Sequence, residues 1–291
     1  MRRGIHRRDR LVIGARDDAI VDDEDRADRH FSRGETAPRL GQRRAHVIGW
    51  RHDRERITIP YDHLVIETVL LDAGGVLVNP NWNRVSDILR RHGIDVSGDA
   101  LRAAEPQAKF AIDTATTVAT TSDADRGTRY FHLTFDAAGV PPGEVRQPVL
   151  DDLWAYHQEH NLWETVADDV IPALQRLRAA GLTLAIASNA NGVLQRMFDR
   201  VGLTPYFHAI CDSCVEGVEK PDPRFFEIVL DRAGGRPDTA LHVGDLYHVD
   251  VAGARAAGIA PLLLDAHGLY EGFDVPRIRS LGDLVPLVTP R

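Results

Sequence analysis

ETVLLDAGGVLVNP, residues 67–80, opens with a short apolar run, Val69-Leu70-Leu71, and ends it on one carboxylate and a glycine pair, Asp72, Gly74 and Gly75. A continuous apolar run, unlike an alternating one, predicts a strand covered on both faces, as in a parallel sheet. Such a strand delivers Asp72 to a turn at its C-terminal end. Two residues on, where a site built around Asp72 would be expected to place a second carboxylate, the chain has Gly74.

Downstream, the same strand-then-turn pattern recurs. LTLAIASN, HAICDS, TALHVGD and APLLLDA read as further buried strands. Between and around them, DDVIPALQRLRAAG, NGVLQRMFDRVG, DPRFFEIVLDRAGG, DVAGARAAG and LGDLVPLV read as helices, several stopped by glycine. Alternating β and α predicts a doubly wound, Rossmann-like α/β parallel sheet. Residues 97–160 contain no convincing strand and predict three or four helices after the NRVSDILRRHG helix. We therefore expect an α/β core over 65–81 and 162–291, and an inserted helical cap over 82–161. Residues 1–64 are mixed-charge and aperiodic, which predicts a disordered charged N-terminal extension.

Composition narrows the function. Residues 1–60 hold 15 arginines against 11 acidic side chains, whereas the remainder is strongly acidic within a net charge of -8. That body is a poor match to nucleic acid, so no nucleic-acid partner is expected. No apolar stretch reaches the roughly 20 residues that span a bilayer, and no signal-peptide apolar region opens the chain, so a cytoplasmic protein without a membrane partner is the expectation. Oligomeric state is left open. Only two of 35 basic residues are lysines, Lys109 and Lys220. Where arginine is the habitual cation, each lysine asks for a reason.

The strand ends collect chemistry. Asp72 follows the first strand, Ser188 and Asn189 the second, and Asp245 the strand TALHVG, with Asp250 five residues on. Lys220 precedes the helix opened by Pro221 and Pro223. Singly, each is ordinary: a strand-end aspartate is usually a turn former or cap, and SN is common loop chemistry. Together they are a carboxylate nucleophile, a hydroxyl donor, a compact cation and an acid pair for a hard metal. Phosphoryl transfer to a carboxylate needs that set, because a phosphate dianion otherwise repels the attacking aspartate.

In this order the four segments LLDAGGVL, IASN, EKPDPRFF and HVGDLYHVD resemble the motifs of the haloacid dehalogenase-like hydrolases, and the resemblance covers about residues 66–288. The insertion resembles the subgroup with a helical cap between the first and second motifs. The resemblance implies a Mg²⁺-dependent hydrolase, most directly a phosphatase of a small phosphorylated metabolite. It makes Asp72 the nucleophile, with Ser188 and Lys220 completing the catalytic set. Asp72, the Gly74 carbonyl, Asp245 and Asp250 then form the metal site, while Asn189, Gly74 and Gly75 contact the phosphoryl group.

Gly74 departs from the phosphatase pattern Asp-x-Asp, whose second acid protonates the leaving group and then activates water. A glycine keeps the metal-ligand carbonyl and loses proton transfer, which is typically worth about 10²–10⁴ in rate. A catalytically weak binding or regulatory protein is the alternative reading. Dehalogenation and phosphonate cleavage are weaker ones; the latter wants a cap lysine, and Lys109 is expected instead to be a solvated helix residue. His242 is expected in the core, Tyr247 and His248 facing the substrate or the cap, and Asn79, Asn81 and Trp82 touching the substrate or supplying the hinge, with packing an equal alternative for Trp82. Cys211 and Cys214 are expected to be reduced thiols, without the second pair that a zinc site needs.

Overall fold

The computed structural model describes residues 65–289, so the expectation for residues 1–64 lies outside the described residues. In chain order the elements begin with β1 (Thr68–Leu71) and β2 (Val78–Pro80). Five helices follow: α1 (Trp82–Arg91), α2 (Gly98–Ile112), α3 (Ala115–Thr120), α4 (Asp123–Ala137) and α5 (Arg146–His160). Then come β3 (Trp163–Val166), α6 (Val170–Ala179), β4 (Thr183–Ser188), α7 (Leu194–Val201), β5 (Ala209–Asp212), α8 (Ser213–Glu216) and α9 (Pro223–Ala233). The chain closes with β6 (Ala240–Gly244), α10 (Ala252–Ala256), β7 (Ala260–Leu264), β8 (Arg277–Ile278) and α11 (Val285–Val288).

Six strands form one sheet in the order β5-β4-β1-β6-β7-β8, every pairing parallel. The apolar run predicted to be covered twice is covered twice. Successive strand side chains point to opposite faces, so Val69 and Leu71 join Leu174, Leu177, Met197 and Phe198 from α6 and α7 on one side. Leu70 faces the other way, among Phe225, Phe226 and Val229 of α9. The result is the expected Rossmann-like α/β fold. β1 lies between β4 and β6, so the chain leaves it at a switch point, where the loops after three adjacent strands open a crevice.

Three strands were not legible, β2, β3 and the two-residue β8. β2 and β3 form an antiparallel ribbon that carries the chain out to the five helices and back, with a register shift at Asn79/Pro80. Glu164 in β3 ties this ribbon down. It accepts from Asn81 Nδ2 (3.0 Å), Arg84 Nε (2.8 Å) and Arg200 NH2 (2.7 Å), and from the Tyr156 hydroxyl. Asn81 also caps α1 by accepting from the Arg84 amide. The helices between the two ribbon strands enclose their own core of Trp82, Leu101, Tyr130, Phe131, Phe135 and Leu153. Trp82 is a packing residue there, 1% exposed. Among the described residues no helix is long and apolar enough to cross a membrane.

Candidate active site

Asp72 leaves β1 at 8% exposure, held by the Ala73 amide, which donates to Oδ1 at 2.7 Å. The Lys220 ammonium, 1% exposed, lies 3.0 Å from Asp72 Oδ1 and 2.7 Å from Asp250 Oδ1. Burial alone would drive that lysine neutral, but the Asp250 and Asp72 carboxylates overcome it and raise its pKa. Lys220 is therefore a fixed cation, held in the loop between α8 and α9. The turn into α9 is set by Asp222, which accepts from the Arg224 amide, and by Pro223 at the first helical position.

Asp245 follows β6 at 4% exposure. Its approach to the Asp72 loop is the reason for Gly75: a Cβ there would stand 1.7 Å from Asp245 Oδ2, and its φ is +72°. Gly244 plays the same part for Asp250, whose Cγ would lie 2.1 Å from an added Cβ. Ligand atoms of Asp72, Asp245 and Asp250 all fall within 4.8 Å of one another. Desolvation pushes the Asp72 carboxyl up to about 7 and raises that of Asp245, with Lys220 and Lys109 respectively offsetting part of the effect. Hard carboxylate oxygens carrying uncompensated negative charge fit Mg²⁺. A cation already stands at the cluster, the Lys109 ammonium, 2.8 Å from Asp245 Oδ2. Asp250 fits less well as a direct ligand. Its Oδ1 meets Lys220 and His242, and its Oδ2 accepts from the Asp245 and Leu246 amides. It positions Lys220 and the β6 loop, and Lys220 with His242 holds its pKa low against burial.

A cavity of about 990 Å³ opens over this cluster, walled by the five-helix insert. Ser188, Asn189, Gly74 and Gly75 reach it together with Asp72, Lys220 and Asp245. Two of the expected phosphoryl contacts are engaged within the protein here. The Gly75 amide donates to the Val78 carbonyl at 2.8 Å, so its role is to admit Asp245. The Asn189 side chain accepts from the Lys220 amide (2.8 Å) and donates to the Lys220 carbonyl (3.0 Å), so it fastens the Lys220 loop to the end of β4. Ser188, 3% exposed, remains placed to meet a ligand above Asp72.

Lys109 is the largest departure from expectation. It is 22% exposed, turned inward and paired across the cavity, not solvated. Asp113, one turn on, accepts from the Tyr247 and His248 amides and from the Tyr270 hydroxyl. Glu105, one turn earlier, also lines the cavity and accepts from Trp82 Nε1 at 3.0 Å. Two sequence signals pointed here: the scarcity of lysine and the spacing i, i+4, i+8, which puts all three on one face of α2. Tyr247 and His248 thus meet the insert through their amides. His242 is a core histidine, fully buried and 3.0 Å from Asp250. Cys211 and Cys214 are free thiols, and burial pushes the Cys211 thiol up to about 11.

Trp163 fills the space beside Gly74. A Cβ at 74 would meet Trp163 Cδ1 at 3.4 Å. Its ring packs against His157, whose Nδ1 accepts from the Leu162 amide and whose pKa burial lowers to about 4, so it is neutral at physiological pH.

Comparison with known proteins agrees with this geometry. The haloacid dehalogenase-like hydrolase profile matches residues 66–258. Haloacid dehalogenase-like hydrolase domain-containing protein 3 of Mus musculus is 36% identical over 131 residues, 45% of this chain and 52% of its own length. The chain thus spans about half the length of the first curated relatives it matches. Glyceraldehyde 3-phosphate phosphatase of Methanopyrus kandleri is 31% identical over 169 residues, covering 54% and 71% respectively. Phosphoserine phosphatase of Thermus thermophilus is 39% identical over 157 residues, covering 54% and 61%. Among solved structures, the putative HAD-hydrolase YfnB from Bacillus subtilis bound to magnesium superposes with a TM-score of 0.59 at 17% identity, over 77% of this chain and 99% of that one, a likeness of fold. With the profile spanning most of the described residues and the motif side chains gathered at three adjacent strand ends, this chain belongs to the haloacid dehalogenase-like hydrolases.

Proposed function

We propose that the protein is a Mg²⁺-dependent phosphatase of a small phosphorylated metabolite, working through an aspartyl-phosphate on Asp72. The observation that carries this is the contact of Asp72 with the buried Lys220, with Asp245 beside them under one cavity. Two relatives that are named phosphatases support the reaction class.

Asp72 attacks phosphorus through its exposed carboxylate oxygen, while Lys220 keeps that carboxylate oriented and offsets the charge of the arriving phosphate. Ser188 donates to a phosphoryl oxygen. Mg²⁺ bound by Asp72, Asp245 and the Gly74 carbonyl supplies further charge neutralisation at the phosphoryl oxygens. The helical insert acts as the cap: it excludes water and supplies the walls of the leaving-group pocket. A catalytically weak binding protein is the competing reading, resting on Gly74 alone.

The test is turnover of p-nitrophenyl phosphate and a panel of phosphorylated metabolites with Mg²⁺ and with chelator. Metal-dependent release that Asp72→Asn abolishes is expected. If no phosphoester in the panel turns over with Mg²⁺ or Mn²⁺, the binding reading replaces this one.

A further inference from the structure

The geometry points to Glu105 as the proton-transfer residue that position 74 lacks, a carboxylate delivered by the helical insert instead of by the Asp72 loop. This inference rests on the phosphatase reading and deepens it. Five carboxylates line the cavity: Asp72, Glu105, Asp123, Glu219 and Asp245. Four sit against a cation: Asp72 on Lys220, Asp245 on Lys109, and Asp123 and Glu219 on Arg126. Among the described residues Glu105 alone of the five has no ion pair. A carboxylate locked to a cation is a poor proton carrier, because each protonation breaks the pair. Glu105 feels Lys109, one turn along α2, without a contact ion pair.

Its position follows from α2. Asp113 grips the amides of Tyr247 and His248, and Lys109 reaches Asp245 itself. The next turn back along the same face, about 5–6 Å away between Cβ atoms, carries Glu105. Trp82 Nε1 donates to Glu105 Oε2 and fixes the side chain. Next to it stands Tyr130, 4% exposed and lining the cavity. The Tyr130 hydroxyl has no well-aligned partner, although burial and the nearby Glu105 carboxylate keep it protonated. A buried hydroxyl with an open valence facing a cavity wants a ligand oxygen. Trp163, in contact with the place where a side chain at 74 would begin, packs 6.0 Å from the Tyr130 ring between centroids. The space an acid at 74 would use is thus bordered by Trp163, and Tyr130 and Glu105 line the same cavity.

The chemistry balances in two steps. Asp72 oxygen bonds to phosphorus as the bond from phosphorus to the leaving oxygen breaks; that oxygen keeps the electron pair and takes the proton of the Glu105 carboxylic acid. Water then attacks the phosphoryl group and gives its proton to the Glu105 carboxylate. The Asp72–phosphorus bond breaks, releasing inorganic phosphate and restoring both side chains. Tyr130 donates to the leaving-group side and positions it.

Glu105→Gln in the full chain is the test, because a Gln oxygen still accepts from Trp82. With p-nitrophenyl phosphate and Mg²⁺, whose leaving group needs no proton, phosphorylation of Asp72 should proceed and its hydrolysis should stall. The expected record is a burst of about one nitrophenolate per enzyme, then a steady state about 10²–10⁴-fold slower than the parent, with phosphate on Asp72 in the acid-quenched protein. Burst amplitude counts competent sites, so a misfolded variant would lose amplitude instead. Wild-type steady-state turnover in Glu105→Gln, or an equal loss of both phases without phosphoenzyme, overturns the assignment. No nitrophenolate release by the unsubstituted protein is a separate outcome, and it removes the phosphatase reading together with this step.

Discussion

Asp72 sits where burial and two neighbouring carboxylates oppose its charge, with one lysine in contact to offset them. Its pKa rises from 3.8 to about 7. Because the folded value lies above the unfolded one, the native state binds more protons than the unfolded chain across that window. Stability in chelator should therefore fall as pH rises from about 4 to about 7, by an amount on the order of a few kcal/mol at most. Asp72→Asn should flatten that slope in thermal melts recorded at stepped pH, and Mg²⁺ should raise the melting temperature more at pH 7.5 than at pH 5.5. A melting profile identical in parent and variant would show that the cluster is not strained. At this scale the sequence was legible for side chains adjacent to strand ends, since strand ends fix direction. It was not legible for Gly75 and Asn189, where one backbone bond or one amide pair decides whether a group is free to meet phosphate.

Helix α2 acts as a comb of three polar teeth. Glu105, Lys109 and Asp113 share a face, and the last two bind the loop after β6. The Lys109 ammonium occupies one oxygen of Asp245, Oδ2, so the lysine and a metal held by Asp245 would compete for that carboxylate. Lys109→Met should tighten Mg²⁺ binding on the order of tenfold in calorimetry, equivalent to about 1.4 kcal/mol of removed competition; weaker binding would mean that the lysine assists the metal instead. Helical pattern predicted a helix here, but it does not say which face looks into a cavity and which into solvent. The β2–β3 ribbon escaped for a different reason. Its strands are three and four residues long, carry Pro80, Asn79 and Glu164, and are held by side-chain bonds to Glu164. β8, two residues long, is stabilised by pairing with β7 and leaves no apolar run to read.

At the scale of the whole chain, two hydrophobic cores meet across one cavity. The sheet packs helices on both faces, and the insert packs its aromatic residues around Phe131. Trp82, Trp154 and Trp163, three of the four tryptophans, belong to or abut the insert's core. Tryptophan emission therefore reports mainly the insert, whereas far-ultraviolet circular dichroism reports both parts. Urea unfolding should give an emission midpoint below the dichroism midpoint, because the smaller core buries less apolar surface. Coincident midpoints would show that the α2 contacts and the Glu164 hub weld the two into one cooperative unit. The alternation of buried strands with helices and the long helical stretch after β1 were legible, because each follows from runs of residues. The docking of that body over Asp245 depends on single long-range contacts and was not.

The indole of Trp163 against Gly74 carries a consequence for how descent is read. An alanine-sized group fits at 74, but carboxylate atoms beyond it would contest the volume the ring holds. An acid at 74 beside a tryptophan at 163 is then expected to be disfavoured. In a set of aligned relatives the two positions should covary, large residues at 163 keeping company with glycine or alanine at 74. A glycine scored alone looks like erosion of an ancestral site, whereas the pair records an exchange, and reversing it takes two substitutions instead of one.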